Sequence, residues 1–311
     1  MLAACPPQPG LGSVTYSVAH VRHVVDLGSC LTWTVAPRAQ FGKPRVPTFR
    51  SPDGRAVAFV RVTKREQTIV VRRAGRARPV LRVGEVYRVV DDDHGPIWLI
   101  GWSPDSRWLL YTIDPDGSGS IAADGLRVRV VPASGGRPRT IARMLVYDDY
   151  LIWCGRRLIV TAGMARESAR NKRLVFASAP DWRPHPLVRA PTRAFGSIQC
   201  APDGRSLVAQ SAPASRDPRF FATRWALWRV GLDGSLRQLT SPPPGYADDS
   251  PRWSRDGRAI LFVRSHRGSG KLYAWRDGRV AGPFASVGYR LGYYGHRDWW
   301  QGLTWSLASR R

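Results

Sequence analysis

Residues 51–60 read SPDGRAVAFV, and the phrase returns with drift down the chain. SPDSRWLLYT starts at Ser103, APDGRSLVAQ at Ala201 and SRDGRAILFV at Ser254. A shortened copy, CGRRLIVTAG, starts at Cys154 and lacks two middle residues. The turn position falls on Gly54, Ser106, Gly155, Gly204 and Gly257, in steps of 52, 49, 49 and 53 residues. A fixed period of about 50 residues marks an array or a propeller.

Each copy encodes a hairpin. Asp-Gly supplies the positive φ that a tight turn needs. The apolar run after it (AVAFV, WLLYT, LIVTA, SLVAQ, AILFV) suits a strand buried on both faces. An aromatic residue precedes the turn at Phe49, Trp102, Trp153 and Trp253. A third strand follows at 68–72, 126–131, 173–178, 225–230 and 272–275, and a fourth at 79–83, 138–143, 185–190, 236–240 and 280–284. Four strands per period make one propeller blade.

Five units are complete, and the chain ends supply a sixth. Residues 298–308 give its first two strands, with Gly302 at the turn, and residues 18–36 give its third and fourth. The expected fold is all-β: a six-bladed β-propeller of four-stranded antiparallel blades, closed by N-terminal strands pairing with C-terminal strands. It occupies 18–311 as one domain, and 1–17 is a disordered or tether segment. Such closure removes a long free edge strand.

The pattern resembles the TolB-like (WD40-like) β-propeller family, whose hallmark is an aromatic followed by Ser-Pro-Asp-Gly in the first strand. Trp102-Ser103-Pro104-Asp105 carries that likeness, while Phe49 sits one residue further from Ser51. The resemblance spans about residues 18–308 and speaks to fold; superfolds host unrelated activities.

The net charge is +25, and arginine supplies all the basic residues except Lys43, Lys64, Lys172 and Lys271. One reading is an Arg-driven binder of anionic polymer. The other is arginine scattered over the exterior, with its densest run, RRAGRAR, at 72–78. The scatter shows no specific nucleic-acid groove. No apolar run approaches the ~20 residues of a membrane span.

MLAAC resembles the end of a lipoprotein signal, with Cys5 as the residue to be lipidated. That reading places a basic and an apolar stretch upstream of Met1. The alternative is a chance match on a disordered tail. TolB-like propellers are often extracytoplasmic, which implies a cell-envelope location. Cys154 and Cys200 align one position apart on the first strands of neighbouring units, so they point to opposite faces, which argues against a disulfide. No cysteine pair has zinc-site spacing, and buried thiols are expected.

In an antiparallel blade the Asp-Gly turns share one face with the turns between third and fourth strands. That face reads as structural. The other face carries three long loops, 113–124, 163–172 and 211–224, which belong to consecutive units and should crowd together. The third contains Arg216 and Arg219 beside Phe220 and Phe221. Links between units on this face bring Asp91, Asp92 and Asp93, then Asp148 and Asp149, then Asp248 and Asp249 to the channel mouth. They could receive a cation or cationic ligand, or cap strands and pair with arginine. Tyr293, Tyr294 and His296 in the last link could grip a sugar or peptide, or pack over the channel. The loop 114–125 resembles a calcium loop, with Asp114, Asp116 and Ser118 in alternate positions; its closing acid, Asp124, falls one place early.

No nucleophile–base pair or metal motif stands out. Gly268-Ser269-Gly270-Lys271 echoes a phosphate loop, but Leu272 replaces the required hydroxyl residue. Related propellers occur fused to serine-peptidase domains, and the propeller here leaves no room for one. The sequence therefore supports a non-catalytic, monomeric binding or scaffold protein, with a protein or an envelope polymer as partner. The enzyme alternative is a hydrolase or lyase at the channel mouth using Asp149 or Asp249.

Overall fold

The computed structural model describes residues 5–19, 21–35, 47–64, 66–84, 95–114, 124–215, 224–290, 292 and 294–306. These residues form the antiparallel sheets of a β-propeller. One sheet holds β4 (Thr48–Arg50), β5 (Ala56–Val62), β6 (Gln67–Arg73) and β7 (Arg76–Val83) in chain order. Two later sheets repeat that order. They are β16 (Arg193–Cys200), β17 (Ser206–Pro213), β18 (Ala226–Gly231) and β19 (Leu236–Gln238), then β20 (Tyr246–Trp253), β21 (Ala259–His266), β22 (Ser269–Arg276) and β23 (Arg279–Tyr289).

Between them lies an eight-stranded sheet with two halves. The first is β8 (Ile97–Trp102), β9 (Trp108–Ile113), β10 (Leu126–Pro132) and β11 (Arg139–Met144). The second is β12 (Leu151–Cys154), β13 (Arg157–Ala162), β14 (Arg173–Ala177) and β15 (His185–Pro186). A single residue pair, Met144 with Ala162, joins β11 to β13. Hydrogen bonding therefore defines five sheets among the described residues.

The repeated turns behave as their residues dictate. Gly54, Gly155, Gly204 and Gly257 all have φ between +61° and +71°, where a Cβ is disfavoured. Ser106 holds the same conformation at φ +59°, and its Oγ accepts the N–H of Asp53 in the preceding sheet. In three copies a buried serine fastens the turn. Ser103 Oγ donates to Asp105 Oδ1 and accepts the Trp108 N–H, and Ser51 and Ser254 do the same.

The core is distributed between facing sheets. β4–β7 meets β8–β11 around Ile69, Trp102 and Tyr111. Leu110 and Val130 meet Leu158 and Trp182 across the two halves of the long sheet. Ile159 packs with Phe195 and Leu207, and Val208 with Ile260 and Phe262.

The ends do share a sheet, but not as expected. Its order is β24 (Leu303–Ser306), β1 (Ser13–Val18), β2 (Val21–Asp26) and β3 (Thr32–Val35). The C-terminus gives one strand rather than two, and the N-terminus three. Asp298 accepts the Trp300 N–H and starts a 3-10 turn over Trp299–Gly302, so the expected first strand bends instead of extending. The vacant place is taken by β1, whose Val14 and Tyr16 are buried against Leu261 and Leu272. Residues 5–17 are thus not a tether. Gln8 N–H donates to Leu27 O, Leu11 is buried, and Trp305 Nε1 donates to Leu11 O.

The expectation of buried, unpaired thiols, with no bond between Cys154 and Cys200, is corrected. Cys154 on β12 bonds Cys200 on β16, with Cα atoms 5.3 Å apart. Facing blades meet through opposite sides of equivalent sheets, so the one-position offset aims the two thiols at each other. Cys5 bonds Cys30. A lipid thioether would need the same sulfur, so this bond lends the lipidation expectation for Cys5 no support.

Candidate functional site

The links that open the first strands bring polar side chains to the channel. The 3-10 turn Asp148–Tyr150 precedes β12 and presents Asp149. A register shift in β16 between Phe195 and Ile198 turns Ser197 inward. A matching shift in β20, between Asp249 and Arg252, includes Ser250 at φ +52°. Bulges re-aim side chains in this way. Together with Asp298 and Trp300 these segments enclose a cavity of about 380 Å³, lined also by Asp148, Gln199 and Arg252.

Asp149 is the pivot. Ser197 Oγ donates to its Oδ2, and His296 Nε2 lies 3.1 Å from its Oδ1. About a fifth of the Asp149 side chain, 22%, remains open toward the cavity. Burial pushes its carboxyl up to about 7 against the Ser197 hydrogen bond, helped by the negative charge of Asp298. His296 is buried between Tyr147 and Tyr150, with ring centroids at 3.8 and 5.1 Å. Burial, then the neighbouring Arg297, pushes it down to about 3, so it is neutral at physiological pH.

Asp249 occupies the equivalent repeat position in a different setting. It accepts from Gln210 Nε2 at 2.7 Å and from Ser265 Oγ, with Arg297 Nη1 at 3.9 Å. Burial raises its carboxyl while Arg297 opposes. Gln210 Oε1 in turn accepts the Ser197 N–H. A run of polar contacts therefore links Asp149 through Ser197 and Gln210 to Asp249 and Arg297. Asp248 is held by Arg264 at 2.6 and 2.9 Å, which is the arginine-pairing alternative. Arg252 lies with its guanidinium 4.4 Å over the Trp300 ring. Sequence reading missed Ser197, Gln210, Arg252 and Asp298, because the bulges that orient Ser197 and Arg252, the first of them opposite Gln210, leave no motif.

The described parts of the long loops do gather. Arg166 pairs with Asp124 at 2.6 Å and donates to Tyr294 Oη, and Ser215 N–H donates to Ala169 O. Lys172 is fully buried, and its Nζ donates to the carbonyls of Ala165, Glu167 and Arg170. Burial pushes that ammonium down to about 8. Asp114 is buried at the end of β9. Asp92, Asp93, Asp116, Ser118, Arg216, Arg219 and Tyr293 lie outside the described residues.

No protein-family model and no curated protein matches the sequence. Solved structures do match in fold. A TolB from Agrobacterium tumefaciens is 15% identical, with TM-score 0.44, over 88% of this chain and 89% of that one. TolB from Acinetobacter baumannii is 16% identical, with TM-score 0.42, over 88% and 63%. Prolyl oligopeptidase B from Galerina marginata is 12% identical, with TM-score 0.48, over 92% and 42%. The likeness is one of fold alone.

Proposed function

We propose that the chain is a six-bladed propeller, with the halves β8–β11 and β12–β15 as separate blades, and that it acts as a non-catalytic binding or scaffold protein. The single pairing of Met144 with Ala162 supports counting the halves apart. The two disulfides support an oxidising, extracytoplasmic setting in a bacterial envelope.

The ligand site is the channel cavity, and the ligand carries a cationic group. The observation that carries this reading is the division of labour among the acids. Asp248 and Asp249 are consumed by Arg264, Gln210 and Ser265, whereas Asp148, Asp149 and Asp298 line open space with Arg252 as the one cation among the described lining residues. Titration calorimetry with a panel of amines and lysine-containing peptides tests it. Asp148→Asn with Asp298→Asn is expected to weaken binding about tenfold, and binding should strengthen as pH rises through 7 and Asp149 ionises. Undiminished binding in the double variant would sink the reading.

A second reading, acid–base turnover of a glycan or ester, is supported by Asp149 having its proton near neutral pH within reach of a cavity. Turnover lost in Asp149→Asn while ligand still binds would select it.

A further inference from the structure

We propose a second binding site, on the Asp-Gly face, that takes an acidic oligosaccharide. A cavity of about 820 Å³ lies there between the β4–β7 sheet and the two halves of the eight-stranded sheet. Arg73, Arg76 and Arg78 reach it from the β6–β7 turn, and Arg107 and Arg156 from the turns before β9 and β13. The one carboxylate in the lining, Asp105, already accepts from Ser103 Oγ and the Arg107 N–H. Among the described residues none of the five guanidiniums forms an ion pair.

The repeat explains the excess. In four copies an aspartate two residues before the turn arginine accepts that arginine's backbone N–H and so sets a carboxylate beside the turn: Asp53 for Arg55, Asp105 for Arg107, Asp203 for Arg205 and Asp256 for Arg258. The shortened copy lost that aspartate, so Arg156 and Arg157 stand without it. The cavity sits where this loss meets the arginine-rich β6–β7 turn.

The walls narrow the ligand. A recess of about 230 Å³ continues past Trp108, Trp153 and Trp182, with Arg157 at its edge. Guanidinium forks pair bidentately with carboxylates, and indole faces pack against the apolar face of a sugar ring. Charge beside ring is the chemistry of a uronic-acid chain. Nucleic acid would offer the same anions, but the disulfides support an oxidising, extracytoplasmic setting, which favours an acidic glycan over nucleic acid. The site shares no lining residue with the Asp149 cavity, so either can fail alone.

The test is calorimetric titration of the full chain with an oligomannuronate, with a neutral glucan and an oligothymidylate alongside. Binding of the uronate should fall about tenfold or more in Arg76→Gln/Arg156→Gln and should hold in Arg205→Gln/Arg258→Gln, whose turns keep their aspartates. Arg76→Lys/Arg156→Lys keeps the charge and loses the fork, so it should bind at an intermediate level and guards against a folding defect. Equal losses in the two glutamine pairs would mean diffuse charge and overturn the site. Preference for the oligothymidylate, or equal binding of the neutral glucan, overturns the ligand class.

Discussion

His296 Nε2 stands 3.1 Å from Asp149 Oδ1, and the two groups are displaced in opposite directions, the acid up to about 7 and the base down to about 3. Neither is charged at pH 5, so a neutral carboxyl and a neutral imidazole stand side by side, in proximity and without a hydrogen bond between these two atoms.

Stability against pH should expose each partner only when the other is removed. The native Asp149 keeps its proton up to about 7, whereas an unfolded aspartate loses it near 3.8, so this group's contribution is present below 3.8 and fades as pH rises toward 7. His296 works the other way. The unfolded imidazole binds a proton below 6.5 and the native one only below about 3, so its contribution is present above 6.5 and is lost as pH falls toward 3. In wild type the slopes oppose between pH 4 and 6.5. Denaturant midpoints should rise with pH across that window in Asp149→Asn and fall in His296→Gln. Parallel profiles in the two variants would refute the pairing.

The Cys154–Cys200 bond closes a loop of 46 residues, for which chain entropy alone gives about 4 kcal/mol. Cys154→Ser/Cys200→Ser should lose roughly 2–5 kcal/mol in urea unfolding. A reductant should destabilise wild type by at least as much, since it also opens Cys5–Cys30, and should do nothing further to a variant lacking both bonds.

Ser103 satisfies two groups at a buried turn, so Ser103→Ala should cost about 1–2 kcal/mol. Ala201 is the natural experiment in the opposite sense, since it stands where three copies have the serine. Ala201→Ser should gain about 0.5–1 kcal/mol in chemical denaturation, by supplying Asp203 with the hydroxyl it lacks.

Lys172→Met should leave the carbonyls of Ala165, Glu167 and Arg170 without their donor, at a cost of about 3 kcal/mol. Hydrogen exchange should locate the damage in 163–172 and spare β13. Uniform loss of protection would show that the ammonium supports the whole sheet instead of one loop.

The repeat made the Asp-Gly turns and the strands around them legible, because period, turn chemistry and apolar runs agree there. Closure was harder to read. DWWQGLTWSLA looks like strand, turn and strand, and only the reach of the Asp298 carboxylate to the Trp300 N–H shows that its first half bends. The cysteines misled through geometry: alternation along one strand says which side a thiol takes, but pairing depends on how neighbouring sheets face. Asp149 and Asp249 were found from spacing, yet their different fates depend on Ser197, Gln210 and Arg297, which arrive from other sheets. Arg156 was visible as one residue among many; its missing aspartate acquires meaning only beside the β6–β7 turn.

The pairing of Ser13 with Ser306 has a bearing on biosynthesis. As the chain leaves the ribosome β1 emerges with one flank unmatched and must wait about 290 residues for Leu303–Ser306. The interior sheets can each be completed from contiguous residues as they appear. Maturation should therefore end with a single late fastening step, and a nascent chain stalled before Leu303 should hold folded interior sheets beside an unsealed first strand open to chaperones.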